Sequence, residues 1–492
     1  MHSNRLLFSV VFISGMSVLA LEISSSRLLA PYFGTSLFVW TNIIGIILIA
    51  LSVGYYYGGK MADKYPKEKI LYTTTFLTGL YIILIPFISQ PILRFSVKAF
   101  DIQSIDLFYV SLLSTLVILA LPIVILGMVS PFAIRIASKN IGSIGNTSGS
   151  IYALSTIGSI IGAFLPALVT IPLVGTKITI MLFGFILALI SVLALRNKKL
   201  LAAPFVFLLF ILLLGSVKPS QGLIYEDESI YNYIQVIEEA DGTRYLVLNE
   251  GHAVHSMYNP NSTSVRRYWG YFNLLPLMNK EAKDVLMIGL AAGTISKQYS
   301  YYFPEIEIID GVEIDPDIVD VGKEYFDMDE PKLNIHIKDG RTFLHQTDKK
   351  YDIITVDAYK QPYIPFHLTT EEFFKEVKSH LNEGGVVGIN VATVSEDSDI
   401  LKMIINTVTK VYKNVYIIPV KGAFNFLVVA SDYDYNIDEI ETNDGNLKAI
   451  LDEIKARYKK VEYNPNTLVL TDDKAPVEIL TDIMIYDYVK NK

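Results

Sequence analysis

The sequence holds its chemistry-bearing residues at the ends of four apolar runs in its second half. The first run, Asp284–Ile288, leads into Gly289-Leu290-Ala291-Ala292-Gly293. Small residues such as Gly289, Ala291 and Gly293 let a backbone approach a ligand closely, and a helix starting near Thr294 offers its free N–H groups to that ligand. Glu313 ends the second run, about twenty residues after this turn, where an acid accepts hydrogen bonds from ribose hydroxyls in nucleotide-binding folds. Asp339-Gly340 ends the third run and Asp357 the fourth. Singly, each has an ordinary explanation. Glu313 lies among Asp310, Asp315 and Asp317 and fits a solvated acidic stretch; Asp339-Gly340 fits a turn and Asp357 a loop cap. The set in register is far more specific than any member.

These residues need strands to carry them. Tyr231–Glu238 and Arg244–Asn249 flank Asp241-Gly242 and predict a hairpin. Beyond it, strands are expected at Asp284–Ile288, Glu305–Val312, Asn334–Ile337, Tyr351–Val356 and Val386–Val391. Helices are expected from Thr294, over Pro316–Phe326 and over Thr370–Leu381, the last capped by Thr370 and ended by Gly384-Gly385. Alternation of this kind gives a parallel sheet with helices on both faces, which binds ligands beyond the carboxyl ends of its strands.

The first half is of another kind. Seven apolar segments succeed one another: Leu6–Leu21, Leu37–Tyr57, Ile70–Leu93, Ile105–Val129, Ile151–Val174, Ile178–Leu195 and Leu200–Val217. About 20 apolar residues cross a bilayer core, and so many long uncharged runs point to a polytopic membrane bundle rather than a soluble one. Arg5 before an apolar run resembles a signal peptide, but Glu22 and Arg27 follow without a small-residue cleavage site and the spans continue. These two charges fall at the end of the first segment, at an interface or within the membrane. Gly142–Gly162 is rich in Gly and Ser and suits close helix packing.

Lys60, Lys64, Lys67, Lys69, Arg135, Lys139, Arg196, Lys198 and Lys199 fall on the side of Arg5, which places the N-terminus in the cytoplasm of a multi-pass cell-membrane protein. Seven spans would then put the second half outside, in conflict with a cytosolic supply of a ribose-bearing ligand, so the side is left open. The expected divisions are 1–217 (transmembrane), 218–280 (a small β unit) and 281–492 (a Rossmann-like, methyltransferase-type α/β domain).

Composition removes several classes of function. There are no cysteines, so disulfides, thiolate zinc sites and cysteine nucleophiles are excluded. No metal is expected. The net charge of −8 and the lack of a basic stripe with interleaved aromatics argue against nucleic acid.

From Tyr231 to Val391 the sequence resembles the spermidine synthases, which transfer an aminopropyl group. The matching landmarks are the hairpin with Tyr231, Leu274-Leu275-Pro276-Leu277, the Gly289 turn, Val312-Glu313-Ile314-Asp315, Lys338-Asp339-Gly340 and Tyr351–Asp357. Leu28–Gly34, Ser130-Pro131-Phe132, Ile364–Leu368 and Leu470-Thr471-Asp472-Asp473 resemble the membrane-bound, transporter-fused branch of the family, while Gly58–Lys64 resembles a loop motif of major-facilitator transporters and fits a tight polar turn as well. The resemblance implies that Glu313 holds a ribose, Asp339 the adenine amino group, and Asp357 acts as the catalytic carboxylate. It implies substrate contacts at Tyr231, Asn232, Lys360 and His367, decarboxylated S-adenosylmethionine or S-adenosylmethionine as co-substrate, an amine acceptor, a lipid bilayer around the first half, and a homodimer as one possible assembly. Three positions depart from the soluble members: Ala292 and Lys360 stand where they have aspartates, and Trp269-Gly270 where they have His-Glu. The cofactor side is thus kept while much of the negative acceptor pocket is gone.

Three functions fit: aminopropyl transfer, methyl transfer from S-adenosylmethionine, and a transporter or sensor whose second half binds a nucleoside or polyamine without turnover. All three share the membrane half. Full-length protein should stay in the membrane pellet through a high-salt wash and leave it only with detergent; recovery in the salt wash would refute the spans.

Overall fold

The computed structural model describes residues 2–33, 37–103, 107–138, 144–208, 220–249, 254–263, 267–359 and 363–490. The chain forms two compact units, one of residues 1–219 with 226–233 and one of residues 220–225 with 234–492.

The first unit is helical: α1 (His2–Phe33), α2 (Leu37–Lys64), α3 (Glu68–Gln103), α4 (Leu107–Ala137), α5 (Ile144–Leu165), α6 (Ile171–Leu195) and α7 (Ala202–Leu208). Five apolar stretches among the described residues are long enough to cross a membrane, the fifth running from Ile144 to Leu195. That stretch is broken at Gly175 (φ 75°), between the expected fifth and sixth segments. Beyond the break the Thr176 N–H has lost its intrahelical acceptor, and Glu228 Oε2 takes it at 2.8 Å. Half of the expected seventh span, 209–217, lies outside the described residues. Glu22 and Arg27 are not at a helix end as expected: α1 runs on to Phe33, because Ser24–Ser26 and Leu28–Ala30 contain nothing that breaks a helix. Close packing at the Gly-rich segment is as the sequence suggests. A Cβ on Gly158 would fall 2.1 Å from the Phe12 carbonyl oxygen and one on Gly162 2.0 Å from that of Met16, so α5 presses directly on the α1 backbone.

The β elements begin with β1 (Leu223–Glu228), β2 (Tyr233–Glu238), β3 (Arg244–Leu248) and β4 (Val254–Tyr258), an antiparallel sheet in that order. The expected first strand loses Tyr231 and Asn232, which lie in a turn closed by Ser229: its Oγ accepts from both backbone N–H groups at 3.0 and 2.8 Å. Two short helices follow, α8 (Tyr268–Tyr271) and α9 (Leu274–Met278). Then come β5 (Asp284–Ile288), α10 (Thr294–Tyr302), β6 (Ile308–Glu313), α11 (Pro316–Tyr325), β7 (Leu333–Ile337), α12 (Gly340–Gln346), β8 (Tyr351–Val356), α13 (Glu371–Ser379) and β9 (Leu381–Ala392). The chain closes with α14 (Asp399–Val411), β10 (Asn414–Pro419), β11 (Asn425–Ser431), α15 (Gly445–Lys455), β12 (Lys459–Val461) and α16 (Val477–Lys490).

The large sheet has the order β12-β10-β11-β9-β8-β5-β6-β7. Strands β9 to β7 are parallel, as expected; β10, β11 and β12 add an antiparallel extension that the alternating pattern does not announce. The expected helix stop at Gly384-Gly385 is instead a bulge inside β9. Tyr351 pairs with Leu381 and Ile353 with Val386, so residues 382–385 loop out opposite Asp352, and Gly384 takes φ 74° there. Successive strand residues point to opposite faces. Val285 and Met287 enter one core beneath α8–α10 and α15, while Leu286 and Ile288 enter the other with Phe373 and Phe374 of α13 and Ile404 of α14.

Tyr299 of α10 is wholly buried in the first core, and its hydroxyl donates to the Phe272 carbonyl at 2.7 Å. Tyr299→Phe should cost about 0.5–1.5 kcal/mol, since it removes one of two bonds to that carbonyl, which also accepts from Leu275 N–H at 3.1 Å. Denaturant unfolding of the purified protein measures it, and a wild-type midpoint would contradict the buried bond.

Candidate functional site

The parallel register sets the site. Ile288 pairs with Val312 on one side and with Val356 on the other, and Val356 pairs in turn with Ile389. One residue further along each strand stand Gly289, Glu313, Asp357 and Asn390, in a single row at the carboxyl ends. The chain turns from the β5-β6-β7 side to the β8-β9 side at β5, so this row crosses the switch point where open sheets bind ligands.

Gly289 cannot be another residue. It has φ 88°, and a Cβ there would fall 2.3 Å from the Asp357 carbonyl oxygen. Gly293 (φ 79°) precedes α10, and Ala291 holds the left-handed conformation at φ 48°, which a non-glycine residue adopts at a cost of about 1 kcal/mol or more. That strain aims the Ala291 N–H at Glu313, whose Oε2 accepts it at 2.8 Å. Ile314 and Asp315 donate to Oε1 at 2.9 and 3.2 Å. Burial nonetheless dominates and pushes the Glu313 carboxyl up to about 7. The turn is also stapled from outside: Ala292 N–H donates to Ser256 Oγ of β4 at 2.9 Å, and Thr294 Oγ1 accepts from Met257 N–H at 2.8 Å. Ala292 itself packs with Ile234, Ile318 and Val321.

Asp357 keeps some access to solvent yet is enclosed deeply enough that desolvation raises its carboxyl to about 6. That combination describes a recess. Asn390 Nδ2 donates to Oδ1 at 2.8 Å, and the Tyr268 hydroxyl is a second donor; both favour the anion and hold the rise in check. Asn390 is held by Asn425 Nδ2 at 2.9 Å, so the antiparallel extension buttresses the site. Tyr359 closes the same wall, its hydroxyl donating to the Asn390 carbonyl at 3.0 Å and accepting from Ala392 N–H at 2.6 Å. Burial raises both tyrosines well above the usual phenol range, so they act as hydrogen-bonding groups.

Asp339 caps α12, its Oδ1 accepting from Thr342 N–H at 2.9 Å. Its Oδ2 meets His367 Nε2 at 3.0 Å, and these bonds, led by His367, draw the carboxyl down to about 2. Gly340 lets α12 approach β5: a Cβ there would lie 2.3 Å from Ile288 Cγ2.

Of the residues singled out in the sequence, Gly289, Ala291, Gly293, Glu313 and Asp357 thus gather around β5. Asp339 and Gly340 form a neighbouring cap that His367 joins. Tyr231 and Asn232 belong with the helical unit, and Lys360 lies outside the described residues. Tyr268 and Asn390 were not picked out. Asn390 had a signal, a lone amide inside the buried run Val386–Val391; Tyr268 had none, because it reaches Asp357 across 89 positions of chain. Chemically, the row offers an acid able to give or take a proton near neutrality, and beside it a backbone cradle with an acid suited to a vicinal diol. No cluster able to hold a metal occurs among the described residues.

The spermine/spermidine synthase domain matches at residues 271–432. A probable polyamine aminopropyl transferase of Bifidobacterium longum (strain NCC 2705) is 33% identical over 280 residues, 52% of this chain and 62% of that protein, so this chain spans a little under two thirds of it. The polyamine aminopropyltransferase of Vibrio vulnificus (strain CMCP6) is 30% identical over 204 residues, 39% of this chain and 68% of the relative. Polyamine aminopropyltransferase 2 of Aquifex aeolicus (strain VF5) is 23% identical across 98% of this chain and 97% of its own length, so both halves occur together there as well.

The Asp357 carboxyl should titrate near pH 6 in carbon-13 NMR of aspartate-labelled protein. Asn390→Leu removes a bond made to the anion, so the midpoint should move to higher pH. An unchanged midpoint would mean that Asn390 does not control this group.

Proposed function

The chain belongs to the spermine/spermidine synthase family, and we propose from that footing that it transfers an aminopropyl group from decarboxylated S-adenosylmethionine to an amine. The observation that carries this reading is the recessed Asp357, raised to about 6 and held between Asn390 and Tyr268, with β5 alone between its strand and that of Glu313.

An alkyl amine reaches the site as an ammonium, since its pKa is about 10.4, and in that form it has no lone pair for attack. Asp357 as the anion orients the ammonium and takes its proton, and the neighbouring donors keep the carboxylate available. The freed nitrogen forms a bond to the propyl carbon beside the sulfonium as the carbon–sulfur bond breaks. The electron pair leaves with sulfur, and the neutral thioether methylthioadenosine is the second product. The sulfonium needs no acid to depart, so the residues here act by placing two reactants in line and holding one proton. Glu313 and the Gly289 turn hold the adenosyl part, with Asp339 near its base.

The family reading extends to the first half as a membrane-anchoring bundle. Ala292, Trp269-Gly270 and Lys360 stand where the soluble members carry acidic or His-Glu residues, so less negative charge is left to attract a dication, which favours a monoamine or an acceptor carrying an anion.

In detergent, with decarboxylated S-adenosylmethionine and a panel of amines, mass spectrometry should detect an aminopropylated product and methylthioadenosine. Asp357→Asn should abolish turnover while adenosyl binding persists. For the wild type, kcat should fall as pH drops through about 6, because only the carboxylate takes the proton. Methylated product from S-adenosylmethionine, or full activity in Asp357→Asn, would refute the assignment.

A further inference from the structure

Arg341 lies two residues beyond Asp339, at the start of α12, with a side chain only 13% exposed. All five of its guanidinium donors have acceptors. Nε and Nη2 grip the Glu376 carboxylate at 3.0 and 2.9 Å. Nη1 and Nη2 grip that of Asp472 at 2.7 and 2.8 Å. The remaining donor on Nη1 meets the backbone carbonyl of His367 at 3.2 Å. Two forked carboxylate pairs on one guanidinium fix its plane, which a lysine in the same place would not do.

That last bond has a consequence for Asp339. His367 sits in the short turn Phe366–Leu368, where its ring is about one third exposed. Its Nε2 nevertheless rests 3.0 Å from Asp339 Oδ2. The carbonyl of His367 is fastened to Arg341 and its ring to Asp339, so one residue is gripped at both ends. Asp472, the outer anchor, comes from the C-terminal Thr471–Lys474 turn. That turn is tied to the start of α13 by Thr370 Oγ1 on Asp472 Oδ1 at 2.7 Å and by Glu371 N–H on the Leu470 carbonyl at 2.8 Å.

We infer that Arg341 is a positioning residue for the adenosyl side of the site: with Asp472 it fixes the His367 backbone, and His367 in turn fixes the Asp339 carboxylate. This rests on the reading in which Asp339 faces the adenosyl base. Arg341 touches neither substrate and acts only through His367. The C-terminal turn is then a working part of the site, and loosening it acts on adenosyl affinity and not on the amine.

The test is a double-mutant cycle on the full chain in detergent, with methylthioadenosine as the probe and calorimetry as the readout. Arg341→Gln and Asp339→Asn should each weaken binding about tenfold. In the Asp339→Asn background, Arg341→Gln should cost nothing more, because the group it positions is gone. The KM for the amine should not move. Asp472→Asn should behave as Arg341→Gln does, and Arg341→Lys with Asp472→Asn gives the same cycle if Arg341→Gln does not fold. Equal losses in both backgrounds would overturn the inference, since general loosening of the fold does that. Wild-type binding in Arg341→Gln alongside weakened binding in Asp339→Asn would overturn it too. Unchanged binding in Asp339→Asn would instead sink the adenosyl reading beneath it.

Discussion

The register of β5 against β6 and β8 is the constraint on which the site depends. A parallel pairing fixes which residues finish level with one another, and here Ile288, Val312, Val356 and Ile389 are level. Shifting β8 by one position would exchange its two faces. It would send Val356 into the wrong core and carry Asp357 away from Asn390. Gly289 adds a second lock, because only a residue without a Cβ lets the end of β5 lie against the Asp357 carbonyl. The apolar packing on both faces of the sheet therefore secures the site's geometry as well as the fold.

Three carboxylates in one region are given three different environments. Glu313 receives three backbone donors but is so thoroughly buried that desolvation wins. Asp357 has two side-chain donors and a partial opening to solvent, and burial raises it too, to about 6. Asp339, beside a histidine and at a helix N-terminus, is drawn well below the ordinary range. Burial, hydrogen bonding and a neighbouring base thus separate residues of the same chemistry into different duties, as is common at functional sites.

The sequence made the parallel strands readable because buried strands are continuous apolar runs, and their ends are marked by glycine or an acid. Glu313, Asp339 and Asp357 could be picked out for that reason. Long-range partners left no such mark. Tyr268 meets Asp357, and Asp472 meets Arg341, through folding that no local pattern records. The antiparallel strands β10–β12 follow the last recognisable alternation and went unread. In the first half, counting apolar residues ended the first segment before Glu22, whereas α1 continues through Glu22 and Arg27, since glutamate and arginine are themselves good helix formers.

The Glu313 carboxyl has a thermodynamic consequence for any ligand with a diol. With a pKa of about 7, this group is divided between its acid and its anion in neutral solution. A ligand whose hydroxyls donate to it selects the anion, so complex formation expels a fraction of a proton into the buffer. The heat recorded in a calorimeter then includes the buffer's own enthalpy of protonation. Titrations in two buffers of different ionisation enthalpy would yield different apparent heats at one affinity, and their difference counts the protons released.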